Sequence, residues 1–233
     1  MTLQTKEAEK SYGRTRALQG VTFDIEPGNI YALLGPNGSG KTTWMKMAAA
    51  LVRPSAGGVL WEGKPVCAKT RAQIVYLPTE DFFYSWMRVG DVGKYFADFF
   101  ADFSTERYQA LCGQMELPME QKVRTLSTGM RAKCRAAAAL SRSASVFLLD
   151  EPFNGIDLMA RDQILGAILE TLSPDNAIVI SSHLVEEIEP AVNRAIFFRE
   201  GRVAADLDIE ELRAREGVSL ADKYRELMME KEA

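Results

Sequence analysis

Leu33-Leu34-Gly35-Pro36-Asn37-Gly38-Ser39-Gly40-Lys41-Thr42-Thr43 fits the pattern G-x-x-x-x-G-K-[ST], with Gly35, Gly40, Lys41 and Thr42 at the fixed positions. The flanks fit as well. Ile30 to Leu34 is a short apolar run of the kind a buried parallel strand shows, and Thr43 to Leu51 is rich in Ala and Met and predicts a helix. Strand, glycine loop and helix in that order can hold a phosphate chain. Glycines let the backbone wrap close to the phosphates because no Cβ blocks the approach. The amides of the loop from Gly35 to Thr43 and the helix N-terminus offer N–H donors and a partial positive charge. Lys41 adds a full charge near the β- and γ-phosphates, and the Thr42 hydroxyl is placed to ligate Mg²⁺. A chance glycine turn would not need four fixed positions and both flanks.

The rest of the composition is that of an ordinary globular chain. Its 233 residues suit one large domain, 47% of them are apolar and 26% charged. A net charge of −4 argues against nucleic acid as a partner. The longest run without a charged side chain, Pro27 to Gly40, is 14 residues, too short to span a bilayer as a helix. The opening MTLQTKEAEK has no apolar h-region, so no signal peptide is expected. Cys67, Cys112 and Cys134 are far apart without metal-ligand spacing and read as buried thiols of a reducing cytoplasm.

Outward from the loop the pattern alternates strand and helix. On the N-terminal side, residues 1 to 29 read as β-structure, with Val21, Phe23 and Ile25 alternating with Thr22, Asp24 and Glu26. On the C-terminal side, Val59-Leu60-Trp61 and Lys64-Pro65-Val66 flank Glu62-Gly63 as a hairpin, and Ile74-Val75-Tyr76-Leu77 is a strand that stops at Pro78. Helices are expected over Thr105–Leu117, Met130–Leu140 and Arg161–Leu172. Strands are expected over Ser145–Leu149, Ala177–Ile180 and Ala195–Phe198, and the tail from Ile209 to Ala233 is charged and helical. This predicts an α/β fold with a mostly parallel sheet covered on both faces and a small helical insert at about 86 to 126. The phenylalanines between Val89 and Phe103 read as the core of that insert. Phe82, Phe83, Tyr84 and Trp86, in a loop, read either as a partner surface or as ordinary loop anchors.

In such sheets, sites lie at the carboxyl ends of strands. The phosphate loop, Asp150-Glu151 and His183 all follow strands, so three chemical groups converge on one edge of the sheet. Asp150 closes an apolar strand and is suited to anchor Mg²⁺, and Glu151 beside it can polarise an attacking water. A helix-start cap at Asp150-Glu151-Pro152 is the bland alternative. His183, the one histidine, follows Ser181-Ser182 and can hydrogen-bond a γ-phosphate or a water. Leu126-Ser127-Thr128-Gly129-Met130 is a further small-residue turn at a helix start, with Ser127 as N-cap. One nucleotide does not need two such helix ends from one chain, which points to a site shared between two chains.

Taken together, these elements resemble the nucleotide-binding subunit of an ATP-binding cassette (ABC) transporter, over about residues 1 to 205. Gly35–Thr42 matches the family's Walker A motif and Val146–Glu151 its Walker B motif. Leu126–Met130 resembles the signature, Asn154–Asp157 the D-loop and His183 the switch histidine. The resemblance implies a P-loop NTPase (RecA-like) fold with an N-terminal antiparallel β-subdomain, a single domain over 1–233 and a helical tail over 206–233. It implies ATP and Mg²⁺ as cofactors, a head-to-tail dimer with a second copy of this or a related subunit, and an integral membrane permease as a separate chain. The protein would then lie on the cytoplasmic face of the cell membrane. Glu151, His183 and Lys41 would be catalytic. Tyr12 would stack on adenine. Residues 35 to 43, with Ser127, Gly129 and Asp157, would contact nucleotide. Thr42, Asp150 and Glu80 would face the metal.

Two motifs depart from the pattern. Thr128 and Met130 replace Gly and Gln of the signature, while Ser127 and Gly129 are kept. After Tyr76-Leu77-Pro78, where the family has Gln, this chain has Thr79 and then Glu80: either Glu80 takes over the contact to metal and water, or coupling through this loop is altered. The compact insert resembles exporter-type members more than importers. Other functions open to such a chain are a soluble ABC ATPase acting on nucleic acid or the ribosome, and a signalling ATPase with a membrane partner.

Overall fold

The computed structural model describes residues 2–229. In chain order the strands are β1 (Leu3–Tyr12), β2 (Thr15–Ile25), β3 (Ile30–Leu34), β4 (Ala56–Trp61), β5 (Lys64–Pro65), β6 (Ile74–Leu77), β7 (Val146–Asp150), β8 (Ala177–Ser182), β9 (Arg194–Arg199) and β10 (Arg202–Asp208). The helices are α1 (Lys41–Ala48), α2 (Val89–Phe99), α3 (Thr105–Gln114), α4 (Thr128–Leu140), α5 (Leu158–Thr171), α6 (Val185–Ile188), α7 (Ile209–Glu216) and α8 (Leu220–Met229).

Two sheets carry these strands. The N-terminal sheet has the order β2-β1-β4-β5 and is antiparallel. The central sheet has the order β10-β9-β3-β8-β7-β6, with every pair parallel except β10 on β9. All five residues of β3 and of β7 are buried, because successive side chains of a strand enter opposite cores. Ile30, Ala32, Leu34, Phe147 and Leu149 join the core under α4 and α5. Tyr31, Leu33, Val146 and Leu148 join the other, with Trp44, Met45 and Met47 of α1 and the inner face of the antiparallel sheet.

Several expectations shift. α1 begins at Lys41, two residues before the predicted start, and turns off after Ala48. The strand after the Glu200-Gly201 turn, β10, was not expected; its half-buried positions alternate with exposed ones along the antiparallel edge of the sheet. The tail is not one helix but two, separated by Gly217 in the left-handed region at φ 68; its last four residues, 230–233, lie outside the described ones. The aromatic stripe divides. Phe96 is buried, and Phe100 and Phe103 are partly so, whereas Phe99 is 67% exposed. The insert's core is continuous with the main one through Tyr108, Leu111 and α4.

The thiols divide in the same way. Cys112 and Cys134 are buried but Cys67 is exposed. Burial pushes the Cys112 thiol up to about 11 and the Cys134 thiol up to about 12. At about pH 7.5 their reactive thiolates are scarce as well as shielded. Iodoacetamide on the native protein therefore labels Cys67 alone, with Cys112 and Cys134 reacting only after denaturation, as intact-mass spectrometry would show.

Candidate functional site

The phosphate loop leaves β3 and enters α1 through two glycines that no other residue can replace. A Cβ on Gly35 (φ 152) would lie 2.3 Å from the Phe198 carbonyl oxygen, and one on Gly40 (φ 110) would lie 2.6 Å from that of Ala17. No side chain caps the N-terminus of α1, which leaves its amides free to meet an anion. Lys41 turns back over the loop and donates to the carbonyls of Gly35 (2.6 Å) and Pro36 (3.3 Å). Burial lowers its pKa, while Glu151 and Asp150 work the other way. Its Nζ is 3.8 Å from Glu151 Oε1.

Asp150, 1% exposed, ends β7. Its carboxylate accepts three hydroxyl hydrogen bonds. Thr42 Oγ1 (3.1 Å) and Ser181 Oγ (2.7 Å) donate to Oδ1, and the Tyr76 hydroxyl (3.0 Å) donates to Oδ2. Burial, then the charge of Asp150, raises the Tyr76 pKa and keeps the phenol a donor. Glu151 follows with φ 47, a left-handed backbone that turns its side chain out of the strand direction. Its amide donates to Ser181 Oγ (2.9 Å), Oε2 is 2.9 Å from His183 Nδ1, and the buried Oε1 makes no hydrogen bond among the described residues. Asp150-Glu151-Pro152 is therefore no helix cap; α5 starts later and is capped by Asp157, which accepts from the Ala160 amide (2.9 Å).

A cleft of about 430 Å³ opens over these groups, lined by Tyr12, Ala17, Asn37, Gly38, Ser39, Gly40, Lys41, Thr42, Thr43, Thr79, Glu151 and Asn154. Tyr12 stands at its edge, 49% exposed, with Lys10 Nζ 5.0 Å from its ring centroid. Thr42 and Asp150 pair a hydroxyl with a carboxylate oxygen, the hard donors that Mg²⁺ takes. Among the described residues, no three His, Cys, Asp or Glu side chains come together as a cation cage.

Not every expected residue joins this cluster. Ser127 N-caps α4, accepting from the Met130 amide (3.2 Å), and neither it nor Gly129 lines the cleft. Gly129 packs beside Asp157 instead: a Cβ there would lie 3.2 Å from Asp157 Oδ2. Glu80 is exposed and outside the cleft. Thr79 lines it, and its hydroxyl donates to the Asp150 carbonyl (3.2 Å). Ser181 and Tyr76 were not expected in the cluster. The one available signal for Tyr76 was a phenol in an apolar strand, which must find a polar partner when buried.

Three comparisons with known proteins bear on this arrangement. The family model described as ABC transporter matches residues 18–154, and one described as AAA domain, putative AbiEii toxin, Type IV TA system matches residues 120–189. The ABC transporter ATP-binding protein YtrB of Bacillus subtilis (strain 168) is 28% identical over 214 residues, covering 91% of this chain and 73% of the relative. The Nod factor export ATP-binding protein I of Burkholderia orbicola (strain AU 1054) is 32% identical over 210 residues, covering 86% and 69%. A solved ATP-binding subunit of an ABC transporter superposes with a TM-score of 0.86 at 25% identity, covering 98% of this chain and 100% of that one.

Tyr76→Phe removes one donor from a buried carboxylate. It should cost about 1–3 kcal/mol of stability, read as a lower midpoint in urea denaturation with an unchanged slope; an unaltered midpoint would contradict the hydrogen bond.

Proposed function

The chain belongs to the ABC transporter family as an ATP-binding, ATP-hydrolysing subunit, and from that membership we propose that two copies close head to tail on two ATP molecules and drive a separate membrane permease, in the direction of export. The observation that carries the hydrolytic part is the Glu151 carboxylate, with one oxygen against His183 and the other, free of hydrogen bonds among the described residues, toward Lys41.

In this reading, ATP lies along residues 35 to 43, with its adenine against Tyr12. The loop amides and Lys41 take the β- and γ-phosphates, which releases Lys41 from the Gly35 and Pro36 carbonyls. Thr42 and Asp150 would hold Mg²⁺, which when bound offsets the negative charge of the phosphate oxygens. Glu151 accepts a proton from the attacking water, and His183 fixes its Oε2 so that Oε1 presents to that water. A general base aimed this way contributes about 10²–10⁴-fold. The γ-phosphoryl group passes from the β-phosphate oxygen to the water oxygen, leaving ADP and phosphate.

Ser127 and Gly129, being outside this chain's own cleft, would serve the cleft of the second copy, with Asp157 beside them. Among the described residues no helix is long and apolar enough to cross a membrane. Tyr84 (55% exposed), Trp86 (64%) and Phe99 (67%) form an aromatic face around Tyr95 that would take its cytoplasmic loops. The export direction is favoured by the Nod factor export relatives.

Glu151→Gln should still bind ATP, hydrolyse it at least 100-fold more slowly and run as a dimer with ATP and Mg²⁺ in size-exclusion chromatography with light scattering. Turnover at the wild-type rate would contradict the role given to Glu151.

A further inference from the structure

The loop after β6 lacks a glutamine, yet it is not left loose. Thr79 binds Asp150 with its hydroxyl and is itself gripped from behind: its carbonyl accepts a hydrogen bond from Arg135 Nη1. Arg135 stands on α4, about two turns after Ser127. Its side chain is only 12% exposed, and Nε is buried without a hydrogen-bond acceptor among the described residues. The charges facing it come from the loop and from its own helix. Asp81 Oδ1 lies 3.7 Å from Arg135 Nε, and Asp81 Oδ2 lies 3.8 Å from Arg131 Nε. A contiguous set of contacts thus runs from the helix that begins at the Ser127 turn, through Arg135 and Thr79, to the backbone of Asp150.

Packing alone does not call for this arrangement. Desolvating a guanidinium is costly, and here the return is one backbone hydrogen bond and an ion pair too long to be a hydrogen bond. A methionine would fill the space with no charge to desolvate. What the arginine adds is a fixed position for Thr79, which lines the phosphate cleft beside Glu151.

We propose that Arg135 is a positioning residue for hydrolysis: through Thr79 it fixes the loop after β6 against Asp150 and ties α4, the helix headed by the Ser127 turn, to the phosphate cleft. The inference rests on the hydrolytic reading of that cleft. Displacement of the Ser127 turn, where a second copy would bind, is then transmitted to Thr79 and the Asp150 backbone as one unit. The phosphate loop and Tyr12 are outside the set of contacts, so nucleotide capture without metal is not its task.

The test compares wild type with Arg135→Met, Arg135→Lys, Thr79→Val, Asp81→Asn and the Arg135→Met/Thr79→Val pair. The readouts are kcat, the Mg²⁺ concentration giving half-maximal rate, Mg²⁺-free binding of a fluorescent ATP analogue, and the melting temperature. Arg135→Met and Thr79→Val should each lower kcat about 10- to 100-fold and raise the Mg²⁺ requirement several-fold, with Mg²⁺-free binding within about twofold of wild type. Arg135→Lys should recover part of the loss. The pair should be no worse than its poorer member, because both break one unit. An unchanged kcat and Mg²⁺ requirement, additive losses in the pair, or losses that follow melting temperature alone would overturn the proposal. If Arg135→Met does not fold, Asp81→Asn carries the test: a several-fold lower kcat at unchanged melting supports the link, and a wild-type kcat overturns it. Glu151→Gln run alongside separates the two readings. A silent Arg135→Met beside an inactive Glu151→Gln sinks this link only, while an active Glu151→Gln sinks the hydrolytic reading beneath it.

Discussion

A carboxylate buried to 1% exposure is tolerable only if its oxygens are satisfied, and the way Asp150 meets that condition organises the whole site. Its three hydroxyl donors come from Tyr76 on β6, Ser181 on β8 and Thr42 at the start of the helix that follows β3. With Asp150 itself on β7, these are four neighbouring positions, β3-β8-β7-β6, in the spatial order of the central sheet. The parallel register places the ends of all four strands at one edge. Strand order and the hydrogen bonding of one aspartate are therefore the same constraint seen at two scales.

Ser181 couples that constraint to Glu151, the proposed general base. Its oxygen donates to the Asp150 carboxylate and accepts from the Glu151 amide, so the left-handed turn at Glu151 is held by the same contact that satisfies Asp150. The cost of such a backbone, about 1–3 kcal/mol, is borne by a rigid, fully buried strand. The Glu151 carboxylate is left with one oxygen fixed on His183 and one buried oxygen without a hydrogen-bond partner among the described residues. Lys41, desolvated and folded onto the carbonyls of its own loop, is a charge parked where a phosphate would take it up. In the proposed reading the site is built in advance of its substrate, which is where electrostatic catalysis gains most.

The sequence was legible where spacing and periodicity act together. Gly35, Gly40, Lys41 and Thr42 announce a loop whose glycines are fixed by contacts that leave no room for a Cβ, and apolar runs ending in Asp150 and Ser182 announce strand ends. Illegible were contacts that the fold alone creates. Tyr76 looked like any aromatic of a buried strand, and nothing local says that its hydroxyl meets an aspartate 74 residues away. At the position after Pro78 the sequence left open whether Glu80 takes over a contact to metal and water. The chain turn after Pro78 instead sends Thr79 into the cleft and Glu80 out of it. β10 was missed because its alternation is weak, with alanines and aspartates in place of branched side chains.

The most direct measurement is a crystal structure of the wild-type chain with a non-hydrolysable ATP analogue and Mg²⁺. Asp150 should keep its hydrogen bonds to Ser181 and Tyr76, with its carboxylate moved by less than about 0.5 Å, while Lys41 leaves the Gly35 and Pro36 carbonyls for the phosphates. A carboxylate that abandons Ser181 and Tyr76 on binding, or a triphosphate seated away from residues 35 to 43, would contradict a site held ready by Asp150.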